Sequence, residues 1–279
     1  MVRILTDTSS LYTPAQGKEL GFSVVPLNVT IAGETYEEMV DIDTAKFVDI
    51  INQGNIPTSS QPSPAEIFEI YETATEESPI LHITIVDGLS GAYLSACGIR
   101  ETMENKEHIT VYDCGSLCGP QWYMVNIARE CAKKGMSVEE IIAVLDKHKA
   151  SAKSFLIPQD FGYLRRGGRL TPTAATVGSL LKLVPLMTTT ANGKKIEKAG
   201  ICRSFTKAVE KTVEFLKKMN IDENYLITIS HAQNIEEAKL AESIIKKEFP
   251  DCEYKIVLLT PAFTTQGGPK CIAIQTVIK

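Results

Sequence analysis

The feature that most constrains the fold of this 279-residue chain is an alternation, through its first half, of short β-branched apolar runs with helical patterns. Val2 to Thr6 reads as a buried strand, and Phe22 to Ile31 as an extended segment interrupted at Pro26. Ile80 to Val86 and Ile109 to Tyr112 read as two more buried strands. Helical patterns over Pro64 to Thr75, Gly91 to Met103, Gln121 to Lys133 and Val138 to His148 repeat apolar residues at the spacing of one helix face. Strands alternating with crossover helices favour a parallel sheet covered on both faces.

The second half has another rhythm. Ser154 to Pro158 suits a strand and Pro172 to Leu181 a small-residue helix; Val184 to Thr190 is a strand broken by proline, leading to a hairpin turn at Ala191-Asn192-Gly193. Amphipathic helices over Phe205 to Lys218 and Ile235 to Phe249 lead into β-rich runs at Tyr225 to Ser230 and Tyr254 to Thr260, and Cys271 to Ile278 closes the chain as a strand. The expected architecture is an α/β protein of two domains. An N-terminal domain over 1–150 carries a mostly parallel sheet with helices on both faces. A C-terminal α+β domain spans 151–279, its last strand free to return to the domain interface.

Several function classes fall away on composition. A net charge of −5 provides no basic field for nucleic acid or anionic lipid. The longest apolar runs fall far short of the ~20 residues of a membrane-spanning helix. Seven scattered cysteines, and an N-terminus MVRILTDTSS without the layout of a signal peptide, predict reduced thiols and a cytoplasmic location. Cys114 and Cys118 have no second cysteine pair or nearby histidine, so neither zinc nor another metal is expected.

Polar clusters stand where the strand pattern stops. Thr6 to Ser10 follows the first strand, where hydroxyls and Asp7 suit a polar ligand head or a plain turn. In Thr58 to Pro64, Ser63 with Glu66 predicts a capping box and Pro64 an N1 proline, leaving Ser59 and Ser60 free to face a ligand or solvent. Asp87 to Tyr93 joins an apolar strand to a helix start, an anion-binding geometry with Ser90 and Gly91 at its mouth. It lacks the lysine and spacing of a nucleotide loop, so a small carboxylate fits as well as a phosphate. Tyr163 to Leu170 sets Arg165, Arg166 and Arg169 around a Gly-Gly turn, suited to a carboxylate, a phosphate or an acidic partner.

Taken in order, these clusters resemble the DegV family of bacterial fatty-acid-binding proteins nearly end to end. The resemblance rests on Thr6 to Ser10, Val25-Pro26-Leu27, Ser59 to Ser63, Leu89 to Tyr93, Tyr163 to Arg169, Lys182 to Leu186, Arg203 and the late Gly267-Gly268-Pro269. It implies one long-chain fatty acid between two domains, its carboxylate held by Ser59 and Ser90 with Gly91, and Ser60, Thr6, Arg169 and Gln266 as further ligand candidates. It implies no cofactor and no catalytic residue. The protein would present the acid to a separate fatty acid kinase for acyl-phosphate formation in phospholipid metabolism, with Arg203, Arg165 and Arg166 at the docking surface. The chain departs from the family pattern at Ser59, commonly threonine, at Ala92, commonly threonine, and at Gln266 and Lys270, where a histidine and a glycine often stand.

Burying a sixteen-carbon tail at about 0.8 kcal/mol per CH2 yields on the order of 10 kcal/mol, against about 1.5–3 for each hydrogen bond to a charged group. Affinity would be mostly tail and orientation mostly head, with Thr171 to Leu183, Leu186 and Met187 as the expected apolar wall or, alternatively, plain core. Two other functions fit the residues. An acyl hydrolase would use Asp7 or His231 as base with the Ser90 turn as anion hole, and a regulatory scaffold would dock through its arginine turn.

Overall fold

The computed structural model describes residues 1–176 and 183–279. The chain opens with β1 (Arg3–Asp7), α1 (Pro14–Leu20) and β2 (Ser23–Val25). Pro26 then ends the extended run, and the chain crosses into a different sheet as β3 (Asn28–Ile31), followed by β4 (Glu34–Glu37), α2 (Thr44–Asn52) and β5 (Thr58–Ser60). The remaining N-terminal elements are α3 (Pro64–Glu72), β6 (Ile80–Thr84), α4 (Ala92–Thr102), β7 (Ile109–Asp113), α5 (Cys118–Lys133) and α6 (Val138–Ser151).

Four strands form a wholly parallel sheet in the order β2-β1-β6-β7. Their residues alternate between two cores. Ile4, Val24, Leu81, Ile83 and Tyr112 face a cluster with Met124, Val125, Ile141 and Leu145 from α5 and α6. Leu5, Val25, Ile80 and Ile109 face a cluster with Ile67 and Tyr71 from α3. Both faces are thus covered, as the apolar runs require. Because β2 and β6 flank β1 on opposite sides, the carboxyl ends of β1 and β6 open at a topological switch point.

From β8 (Lys153–Ile157) the chain builds a second sheet. It continues through α7 (Phe161–Gly167), α8 (Pro172–Ala175), β9 (Val184–Thr189), β10 (Ile196–Cys202), α9 (Phe205–Lys218), β11 (Tyr225–His231), α10 (Ile235–Lys246), β12 (Glu253–Leu258), α11 (Pro261–Gly267) and β13 (Ile272–Ile278). The order β10-β9-β8-β13-β11-β12 is mixed, with only β11 and β12 parallel, and β13 lies at its centre between β8 and β11. Residues 177–182, and with them part of the expected Pro172 to Leu181 helix and Lys182, lie outside the described residues.

Three local expectations are corrected. The hydroxyl cluster at Thr58 to Ser60 is not a loop but an edge strand, paired with β3 through Val29 and Ser59. Ser63 caps α3 by position alone, with no side-chain cap hydrogen bond among the described residues. Capping boxes form instead at Thr13 with Gln16 and at Ser137 with Glu140, where ψ is 157 and 167. The arginine-flanked Gly-Gly is no open turn either: Arg165 and Arg166 ride the last turn of α7, and Gly168 is its left-handed C-cap.

The small sheet β4-β3-β5 is bridged to the chain's last quarter by α11. Ala262 of α11 joins Leu27, Val29, Ile31 and Phe47 in one cluster. Thr44 Oγ1 donates to Leu259 O at 2.7 Å. Glu38, fully buried at the end of β4, accepts from Thr8 Oγ1 and, at 2.7 Å, from the Ala262 N–H. These contacts fix α11 over β5, which brings the chain's late glycines beside its early serines.

Candidate functional site

A cavity of about 440 Å³ lies where β5, the loops after β6 and β7, the face of the six-stranded sheet and α11 converge. That volume falls within the roughly 300–1,000 Å³ of ordinary small-molecule sites. Its walls are largely apolar: Ile85, Leu117, Leu156, Leu164 and Phe263 face it, with the thiols of Cys118 and Cys271. Polar groups gather at one end, where Ser59, Ser60, Gln61, Ser90, Gly91, Arg169 and Gln266 line it.

At that end the hydroxyls are held in a particular way. Ser59 Oγ accepts from Gln266 Nε2 at 3.1 Å, a contact that joins β5 to α11 across the cavity mouth. Ser90 Oγ accepts from the Ala92 N–H at 3.2 Å at the start of α4. Neither hydroxyl proton has an acceptor among the described residues, so both remain available to donate, and an accepted hydrogen bond makes a hydroxyl a better donor. Gly91 supplies the close approach: a Cβ there would stand 2.7 Å from Gln61 Oε1. The positive end of the eleven-residue α4 opens at the same point.

The other candidates take different places. Ser60 is exposed at the rim. Arg169 is committed to the backbone, with Nε donating to Leu89 O at 3.1 Å and Nη1 to Gly167 O, so it fastens the segment after α7 to the Ser90 loop. Gln266 packs against Gly167, and its Oε1 is buried with no hydrogen-bond partner among the described residues. Thr6 is fully buried, donating to Ile83 O at 2.8 Å and accepting from Gln121 Nε2, and does not line the cavity. Arg203 is exposed just before the Ser204 cap of α9, and Arg165 and Arg166 are exposed on α7.

The bases of a hydrolase reading are likewise elsewhere. Asp7 accepts from the Ser9 N–H at 2.9 Å and from Ser9 Oγ, and burial raises its pKa. His231 Nδ1 accepts from the Asn234 N–H at 3.1 Å, and burial lowers its pKa. Neither lines the cavity. Burial also pushes the Cys118 thiol up and that of Cys271 to about 12, so both act as apolar lining at neutral pH. Met187 and Leu186, the expected wall, are core residues of two separate clusters, and the neighbouring Thr188 and Thr189 line the cavity in their place.

Comparison with known proteins finds relatives that match along the whole chain. The DegV family model matches residues 1–279. A DegV domain-containing protein of Listeria innocua is 30% identical over 286 residues, covering 100% of this chain and 99% of its own. A structure described as a fatty acid binding DegV family protein from Streptococcus agalactiae superposes with a TM-score of 0.89 at 25% identity, covering 100% of this chain and 99% of that one. A Bacillus subtilis structure, described as DegV, a fatty acid binding protein, has a TM-score of 0.84 at 26% identity over 100% and 99% of the two chains.

Proposed function

We propose, on the premise that this chain belongs to the DegV family, that its cavity holds one long-chain fatty acid. The carboxylate lies at Ser59, Ser90 and Gly91 and the tail runs along the face of β13. The observation that carries this reading is the pair of hydroxyls at one end of an apolar cavity, each with its oxygen occupied by an N–H and its proton free. Two such donors and a helix N-terminus suit one carboxylate, and the walls suit hydrocarbon. Gln266 and Arg169 act at one remove, holding Ser59 and the Ser90 loop in place.

On the same reading the chain divides near residue 150 into two domains, with the acid between them. The first strand of the six-stranded sheet begins at Lys153, and Arg169 and Gln266 tie that half to the Ser90 loop and to Ser59. The protein makes no bond itself but presents the carboxylate to a separate fatty acid kinase, which forms the acyl phosphate. The exposed Arg203, Arg165 and Arg166 form the docking surface.

Mass spectrometry of the purified protein under native and then denaturing conditions tests the ligand: one co-purified C14–C18 acid per chain is expected, and a chain free of lipid from a lipid-replete host would contradict the reading. Docking is tested separately with Arg203→Ala, which should keep the acid and lower acyl-phosphate formation by a supplied kinase. Exposed charges act chiefly on encounter.

A further inference from the structure

The turn that joins β9 to β10 reaches past the cavity those strands line. Thr189, the last residue of β9, and Ile196, the first of β10, are both cavity residues. Between them the Thr190 N–H donates to Lys195 O at 2.9 Å and the Gly193 N–H to Thr190 O at 2.8 Å. Asn192 Oδ1 accepts from Thr190 Oγ1 at 2.7 Å and from the Lys194 N–H at 3.1 Å. Closed on itself by these bonds, the turn is built to move as one piece.

Its tip seats on two loops of the parallel sheet. Gly193, at φ 74, comes so close to the loop after β7 that a Cβ would stand 2.9 Å from Gly115 O and 3.3 Å from Val86 Cγ2. Gly88, at φ 93 in the loop that carries Ser90, lies so near Lys194 that a Cβ would stand 2.8 Å from Lys194 O. Lys194 Nζ pairs with Asp87 Oδ2 of the same loop at 2.6 Å, and Asp113 adds a second negative charge near this lysine. The Ser90 loop is also held from the other side of β10. Arg169 Nε donates to Leu89 O at 3.1 Å, while the Arg169 carbonyl accepts from the Ile196 N–H at 2.9 Å. Glycine approaches, one ion pair and one side-chain bond to a carbonyl make a polar joint, which separates more readily than interlocked apolar side chains.

We propose that the turn between β9 and β10 is a latch on the Ser90 loop, fastened by the ion pair of Lys194 with Asp87, and that its release sets the rate at which an acyl ligand enters and leaves the cavity. The inference rests on the reading of the cavity as a fatty-acid site. Neither Lys194 nor Asp87 lines the cavity, so the pair is made whether the cavity is filled or empty. Breaking it therefore speeds entry and exit alike and leaves the affinity nearly unchanged. A residue that merely shaped the head site would raise Kd instead.

The test is stopped-flow exchange of parinarate, a naturally fluorescent fatty acid, on the delipidated protein. Mixing with free protein reads association, and transfer from loaded protein to excess phosphatidylcholine vesicles reads dissociation. In Lys194→Ala both rates should rise about two- to fivefold, the effect of losing one partly exposed ion pair, with Kd within about twofold of the parent. Lys194→Glu, which sets a negative charge against Asp87 and Asp113, should raise both rates further, and Lys194→Arg should keep the parental rates. Raising the salt to about 1 M should speed dissociation from the parent more than from Lys194→Ala. Parental rates in both Lys194→Ala and Lys194→Glu would overturn the proposal, as would a loss of affinity carried by faster dissociation alone. Absence of parinarate binding in the parent would overturn the fatty-acid reading itself, and the latch with it.

Discussion

Replacing Ser59 or Ser90 by alanine removes one O–H donor from the polar end of the cavity. In Ser59→Ala the Gln266 Nε2 also loses its acceptor, beside an Oε1 already buried without a partner among the described residues. In Ser90→Ala the Ala92 N–H loses its acceptor at the start of α4. A hydrogen bond to a charged group contributes about 1.5–3 kcal/mol, so each variant should bind hexadecanoate roughly ten- to a hundredfold more weakly. The double variant should lose less than the product of the two, because both donors act on one carboxylate. Ser59→Thr keeps the hydroxyl and should bind within about threefold of the parent. Displacement of a fluorescent fatty acid measures the four variants against the parent, with hexadecanol as a control whose affinity should fall less because it carries no charge. Wild-type affinity in both single variants and in the double variant would refute the assignment of the head group to these serines.

Other outcomes follow from the framework around the site. Burial, opposed in part by Thr8 and the Ala262 N–H and aided by nearby Asp7, pushes the Glu38 pKa up to about 7. A folded-state pKa above the unfolded value means stability is lost as pH rises through it. From pH 6 to 8 Glu38 should cost about 1 kcal/mol, a slope that Glu38→Gln removes. Denaturant titrations at the two pH values check this, and equal slopes in both proteins would contradict it. Ser137→Ala should lower stability by about 1 kcal/mol through loss of its capping box, whereas Ser63→Ala, whose hydroxyl makes no cap bond, should change it by less than about 0.5. Thr8→Val removes a donor to Glu38 and an acceptor for the Leu27 N–H and should cost about 1–3 kcal/mol by the same titration.

The parallel sheet was legible because its strands are buried on both faces and so read as unbroken apolar runs, and the helices between them kept one apolar stripe each. Elements stabilised mainly by distant partners were not legible. The segment Pro261 to Gly267 carries adjacent threonines, weak helix formers, yet it is helical, with Thr264 and Thr265 donating to carbonyls four residues back. What holds it is Glu38, some two hundred residues earlier in the chain, and no local pattern announces such a bond. Ser59 stood out as a hydroxyl that no cap needed and Ser90 as one at the mouth of a strand-to-helix turn, and both line the cavity. Ser154 and Gln275, which also line the cavity, gave no such signal, since a polar residue in a short strand looks like a solvent-facing position until the pairing of β13 with β8 places it inside. Thr6 to Ser10 misled for the opposite reason: a cluster at a strand end suits a ligand, but here its hydrogen bonds close on themselves and on Glu38 and Gln121.

The most direct test is calorimetric titration of the delipidated protein with hexadecanoate at several temperatures. Saturable binding at one acid per chain is expected, with a negative heat-capacity change from apolar burial, a raised melting temperature in the saturated protein, and weaker binding of octanoate by several orders of magnitude at about 0.8 kcal/mol per CH2 lost. Absence of binding heat at every temperature together with an unchanged melting temperature, or octanoate binding as tightly as hexadecanoate, would contradict a cavity built for a long acyl tail.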